Sequence, residues 1–215
     1  MTKIAKTPEF VYRFFKELSH AQALLNGQVW LSTLNTCRQY ENNAQGDQLE
    51  ATRVISHGSF QGPFNSVLDG GFTNSVGFPI HLGPAARIEN LVTHEKLRDG
   101  YLICATHAFA PDKLNKDFGE FCVQISKPEA FMTAIANKLR SEREMEQIGM
   151  ANVWYATHEE AIQKKLPDHL VPFHKVESYQ YQKEFRFLFV PKNTFNLEPC
   201  ILEVPEVISL CSLVK

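Results

Sequence analysis

The sequence lacks most of the features that point quickly to a function. Cysteine is scarce: Cys37, Cys104, Cys122, Cys200 and Cys211 are odd in number and include no Cys-x-x-Cys pair. That excludes a disulfide framework and a zinc knuckle, and fits a reduced, cytoplasmic setting. Long apolar runs are missing too. None approaches membrane-spanning length, and the N-terminal Met-Thr-Lys-Ile-Ala-Lys-Thr-Pro has no apolar signal core. Positive charge is not in excess, since 22 Lys and Arg stand against 24 Asp and Glu for a net charge of −2. A global basic field for nucleic acid is therefore excluded, although a local basic groove is not.

Familiar site motifs are also absent. There is no G-x-G-x-x-G after a strand, no G-x-x-x-x-G-K-[ST], no H-E-x-x-H and no G-x-S-x-G. His169 and His174 lie five apart across a proline without acids that complete a metal set. The strand cysteines read as buried and inert rather than nucleophilic. No internal repeat or low-complexity tract is visible.

What is present is globular. The chain has 215 residues, 44% hydrophobic and 21% charged, with 16 Phe, enough for one domain spanning 1–215 with a sizeable core. Glu9–Phe15 reads as an aromatic strand carrying Arg13, an expensive residue to bury unless it meets an anion. Lys16–Leu25 has helical spacing and stops at Asn26-Gly27, and Gln28–Leu34 reads as a second strand. Thr36–Thr52 reads as a polar loop holding Arg38, Glu41, Asp47 and Glu50. A short strand over Arg53–His57 and an irregular segment over Gly58–Pro84, a candidate lid or partner-binding loop, follow. Strands are expected over Gly100–His107 and Glu120–Ser126, with a loop between them. A helix opens at Pro128 and runs to about Arg143. A short strand over Asn152–Thr157, a short helix over His158–Leu166 and closing strands over Pro199–Val204 and Val207–Val214 complete the reading. Strands and helices do not alternate regularly, which indicates α+β rather than a doubly wound sheet.

Ser178–Val190 stands out. Aromatic and β-branched residues dominate it, so it reads as one strand with Phe185, Phe187 and Phe189 on a core face. Gln182, Glu184 and Arg186 then share the opposite face. A polar strand face is often merely solvated, and a Glu–Arg pair on a surface stabilises little.

Arg13 in the first strand, Thr106 in a middle strand and Gln182-x-Glu184 in a late one form a pattern. It resembles that of ADP-ribosyltransferases of the diphtheria/cholera-toxin superfamily, in the Arg-Ser-Glu branch. The resemblance implies mixed, mostly antiparallel sheets forming a central cleft with two or three flanking helices. It implies NAD as a substrate, bound by Arg13 with Thr106 ordering the site. Glu184 then faces the oxocarbenium-like transition state, Gln182 positions a macromolecular acceptor (protein or nucleic acid), and a toxin or defence role follows. The Ser-Thr-Ser motif of that family falls at Ala105-Thr106-His107, where His107 is a candidate contact to the adenine ribose. Ser32-Thr33 is a rival placement for the hydroxyl. A wider similarity links Tyr-Arg-Phe-Phe, Leu-Leu-Asn-Gly, Val-Trp-Leu-Ser-Thr-Leu, Gly-Asp-x-x-Glu and Tyr-x-Tyr-x-x-Glu-Phe-Arg to the uncharacterised bacterial DUF2971-like family. Two alternatives stand beside the transferase. One is a non-catalytic nucleotide- or protein-binding relative. The other is a metal-dependent nuclease using Glu41, Asp47, Glu50 and Glu184.

Overall fold

A computed structural model describes residues 7–40, 49–61, 87–164, 166–195 and 197–214. The elements in chain order are β1 (Phe10–Phe15), α1 (Leu18–Leu25), β2 (Gln28–Thr33), α2 (Leu34–Gln39), β3 (Thr52–Gln61), β4 (Arg87–Lys96) and β5 (Tyr101–Thr106). They continue with α3 (Pro111–Phe118), β6 (Phe121–Ser126), α4 (Pro128–Glu142), β7 (Met145–Asn152), β8 (Trp154–Tyr155), α5 (His158–Lys164), β9 (His174–Lys175), β10 (Glu184–Pro191), β11 (Cys200–Glu203) and β12 (Cys211–Leu213). The class is α+β. Among the described residues all strand pairs are antiparallel except the short β8–β9 pair. Among the described residues no helix is long and apolar enough to cross a membrane.

The main sheet is a fork. β5 pairs with β10 from Tyr101 to Thr106, and β10 pairs onward with β7. The other edge of β5 is divided between two strands. β2 takes its N-terminal end, through Ser32–Leu102 and Thr33–Tyr101. β1 takes its C-terminal end, through Tyr12–Thr106 alone. The arms continue as β2–β11 and as β1–β6–β12. A cleft opens where the arms diverge.

Hydrophobic patterning explains the layers. Phe185, Phe187 and Phe189 enter a core with Ile103, Ala105, Val11 and Val123, covered by Phe131, Ile135 and Leu139 of α4 and by Ala21 and Leu24 of α1. Phe131 and Phe187 lie 5.2 Å apart, centroid to centroid. The opposite face of β10 is not solvated. Leu188 and Leu102 pack there against Leu34, Cys37, Ala51 and Phe173, and all eight residues of β10 are buried.

The structure corrects several expected boundaries. Ser178–Val190 is not one strand, because Glu177–Gln182 is a 3-10 turn and Lys183 takes φ 44° before β10 begins at Glu184. Gln182 therefore shares no strand face with Glu184. α3 replaces the expected loop after β5, since Pro111 sits at its start, Asp112 favours its first turn and Gly119 ends it. α2 interrupts the expected polar loop, capped by the Thr33 hydroxyl, which accepts from Thr36 N–H. β7 carries glycine and two methionines in a weak strand pattern, and its pairing with β10 overrides propensity. Val207–Val214 is a 3-10 turn followed by the short β12 rather than a full strand. Of the expected Gly58–Pro84 segment, 58–61 belong to β3 and 62–84 lie outside the described residues.

Gly119 holds α3 against β1. Its φ is 109°, and a Cβ there would meet the Phe15 carbonyl oxygen at 2.1 Å. Both facts exclude a side chain. Gly119→Ala is expected to destabilise the protein by more than about 1 kcal/mol in urea unfolding. Unchanged stability would mean that the α3–β1 junction is not held this way.

Candidate functional site

A cavity of about 510 Å³ fills the divergence of the fork. That volume lies within the range of small-molecule and nucleotide pockets. Arg13, Ser32, Cys104, Thr106, Lys175, Gln182 and Glu184 line it together with the aromatic rings of Tyr12, Phe14, Trp30, Tyr40 and Phe118. The topology thus brings Arg13, Thr106, Gln182 and Glu184 to one cleft, across neighbouring strands and the turn before β10. Ser32 also lines it, while Thr33 is buried and caps α2. His107 does not line it. Its side chain is exposed and its backbone N–H donates to Lys183 O at 3.0 Å. Phe109, by contrast, stacks over Phe14 (6.4 Å) and tilts onto Tyr12 (5.2 Å).

The acidic corner is built by residues distant in sequence. Arg186 is fully buried, on the β10 face shared with Glu184. Its Nη1 and Nη2 fork onto Glu50 Oε1 (2.6 Å) and Oε2 (2.8 Å). Its Nε donates to Glu184 Oε1 (2.8 Å), Nη2 reaches Glu184 Oε2 (3.2 Å), and Nη1 also donates to Pro172 O. Lys175 Nζ pairs with Glu184 Oε2 at 2.9 Å and approaches Gln182 Oε1 at 3.4 Å. Two carboxylates and two cations balance in a desolvated place, the condition under which buried charges persist. The Glu184 backbone N–H donates to Tyr155 Oη (2.8 Å), and Thr106 Oγ1 donates to Lys183 O (3.1 Å). Thr106 thus orders the turn that presents Glu184.

Burial by itself would raise the Glu184 carboxyl, but Arg186 and then Lys175 outweigh it and hold the group at about 2. Burial opposes charge on Lys175 as well, yet Glu184 and Glu50 raise it above its ordinary value. Cys104 is exposed rather than buried as the strand cysteines were expected to be, yet desolvation, then the charge of Glu184, pushes its thiol well up, away from the thiolate that would be nucleophilic. A carboxylate offers about four acceptor positions. Three on Glu184 face N–H donors of Arg186 and Lys175, and the Cys104 thiol, a weak donor, adds to these. Cys104 is exposed to the cavity, so a ligand hydroxyl arriving there is a stronger donor than the thiol it displaces.

Arg13 is the contrasting arginine. It reaches across the fork, donating from Nη1 to Trp30 O at 3.4 Å, and its guanidinium stands 5.3 Å from the Phe15 ring centroid. Among the described residues no carboxylate pairs with it. Burial pushes it down from its ordinary value, and only Cys104, Tyr40 and Cys211 offset this. A guanidinium stays protonated in such a site, so the cleft presents a cation that no described carboxylate pairs.

Sequence reasoning missed Lys175 and Tyr155 as members of this corner, and neither carried a signal. It grouped Glu50 with Glu184 only as part of an acidic metal set, not as the partner of Arg186. Of the residues considered for a metal, Glu41 and Asp47 lie outside the described residues. Glu50 and Glu184 are joined by a guanidinium that neutralises the charge a metal requires. No group of three or more His, Cys, Asp or Glu suited to a metal occurs among the described residues.

Comparison of the chain with protein-family models, with curated proteins and with solved structures gives no match.

The depressed carboxyl has a consequence with a definite sign. A group whose folded value lies below its usual 4.5 stabilises the fold above that value and loses the contribution as pH falls toward 2. The urea midpoint is expected to fall across this window. In Glu184→Gln protein the fall should be shallower, from a lower starting stability. An equal slope in both proteins would show that Glu184 is not the coupled group.

Proposed function

We propose that the cleft binds NAD and that the protein transfers ADP-ribose from it to a macromolecular acceptor. The observation that carries this reading is the pairing state of the two arginines. Arg186, enclosed behind the cavity wall, is saturated by carboxylates, whereas Arg13 lines the cavity with no carboxylate paired to it among the described residues. A pyrophosphate supplies the missing anion, and guanidinium grips such oxygens bidentately. The aromatic rings of Tyr12, Phe14, Trp30 and Phe118 offer surfaces for the base and the nicotinamide.

The chemistry follows from the acidic corner. Breaking the nicotinamide–ribose bond develops positive charge at C1′ of the ribose. A carboxylate fixed in place and kept ionised offsets that charge without reorganising. Glu184 meets both conditions, since two cations orient it and hold it anionic through the neutral range. A ribose hydroxyl reaching it displaces the Cys104 thiol and places C1′ beside the carboxylate. Gln182, nearly buried in the same wall, offers an amide to an approaching acceptor. A binding-only reading uses the same cavity and draws on the full engagement of Glu184. It separates from the transferase at the second half of the test, where NAD binds and is not consumed.

NAD is expected to raise the Tm. Label from NAD should enter protein, RNA or DNA of an added lysate. Arg13→Ala removes no buried partner, so the fold should survive while NAD affinity drops at least about tenfold, the scale of one charge-assisted bond. Glu184→Gln alone disturbs the buried network and so tests stability together with chemistry. The reading fails if NAD neither binds nor is consumed.

A further inference from the structure

Three charged residues from stretches far apart in the chain, Glu50 on one side and Glu184 and Arg186 on the other, meet in the site, and the proposed chemistry uses only Glu184 directly. Glu50 occupies one half of the Arg186 guanidinium and Glu184 the other. The turn that delivers Glu50 is specific. Ala51 takes φ 47°, a conformation that disfavours a non-glycine residue, and Ala51 N–H donates back to Glu50 Oε1 at 3.2 Å. Arg38 Nε and Thr52 Oγ1 both donate to the Glu50 carbonyl, at 2.7 and 3.3 Å. A strained turn held by three further hydrogen bonds is more than a solvated loop needs. A structural ion pair for Arg186 was already available in Glu184 alone.

We propose that Glu50 is a positioning residue for Glu184 and acts through Arg186. With Glu50 in place, the guanidinium plane is fixed by its outer edge, so its Nε meets Glu184 Oε1 in one orientation. Without Glu50, Arg186 can turn its Nη1–Nη2 fork onto Glu184 and draw the carboxylate away from the cavity. The groups facing this corner are Lys175 of β9, Gln182, Cys104 of β5, Cys37 and Arg38 of α2, Tyr155 of β8 and the Pro172 carbonyl. Lys175 already pairs with Glu184, and Arg38 is held on the Glu50 and Leu97 carbonyls, so neither takes the place of Arg186 once Glu50 releases it.

The turnover assay rests on the NAD reading, and a second readout does not. Glu50→Gln removes the fork, and Glu50→Asp keeps the charge on a shorter arm. The double variant Glu50→Leu with Arg186→Met leaves Lys175 and Glu184 as a neutral pair. Replacing a buried ion pair by apolar residues is often tolerated, so this variant should fold even if Glu50→Gln does not. Label transfer per folded molecule, with the folded fraction measured by circular dichroism, is expected to fall about 100-fold in the double variant and in any Glu50→Gln protein that folds. That is the scale of a misplacement near 1 Å. KM for NAD should change little, and Glu50→Asp should recover part of the loss. By carboxyl ¹³C NMR the Glu184 titration midpoint, about 2 in the wild type, should shift in Glu50→Asp protein, which keeps Arg186. Wild-type turnover per folded molecule in the double variant overturns the proposal. If the wild type itself does not consume NAD, the transferase reading falls and the Glu50→Asp midpoint decides alone: a shift supports positioning by Glu50, and an unchanged midpoint overturns it.

Discussion

One guanidinium organises the site. Arg186 is wholly enclosed, and its cost in desolvation is met by two carboxylates that arrive from opposite ends of the chain. The strand that carries it sits between β5 and β7. The turn that carries Glu50 closes over it, with Ala51 and Phe173 packing beside Leu188. Because an unpaired charge in that place would be severely destabilising, the arrangement fixes several elements at once. β10, the 49–51 turn, the 168–173 turn and β9 must all be in position before Arg186 is satisfied.

The fork in the sheet gives that cluster something to face. A continuous β1–β5–β2 ladder is impossible, because β1 and β2 compete for one edge of β5 and each takes an end. The gap between them becomes the cavity, with the paired charges on one wall and Arg13 on another. The two arginines have the same side chain and opposite circumstances. One has every donor answered by protein, and the other spans the gap with a single long hydrogen bond. That asymmetry separates a structural cation from one suited to an anionic ligand, and neither composition nor net charge reveals it.

Much of the fold was legible. The aromatic alternation of Phe185, Phe187 and Phe189 marked a core face, and the four-residue spacing of Phe131, Ile135 and Leu139 marked α4. Those signals are strong because burial of a whole face repeats with the period of the element. β7 was hidden for the converse reason, since its local preference is weak and its pairing with β10 holds it. α3, by contrast, carried readable start and stop signals, Pro111 with Asp112 and Gly119, in a segment read as a loop. The Gln182–Glu184 relation was misread as a strand face because a 3-10 turn leaves no hydrophobic period. Even so, both residues reach the same cleft.

The sequence by itself determined the class of fold, its main strands and helices, and the identities of Arg13, Gln182 and Glu184 as residues too costly or too polar for the runs that hold them. Hydrophobic periodicity and desolvation cost are local properties, and local properties can be read along a line. Only the tertiary structure decided which charges meet. It joined Glu50 and Lys175 to Glu184 through Arg186, left Arg13 without a carboxylate among the described residues, and turned His107 away from the cavity. Pairing of buried charges depends on contacts between strands and turns more than a hundred residues apart, and no local period carries that information.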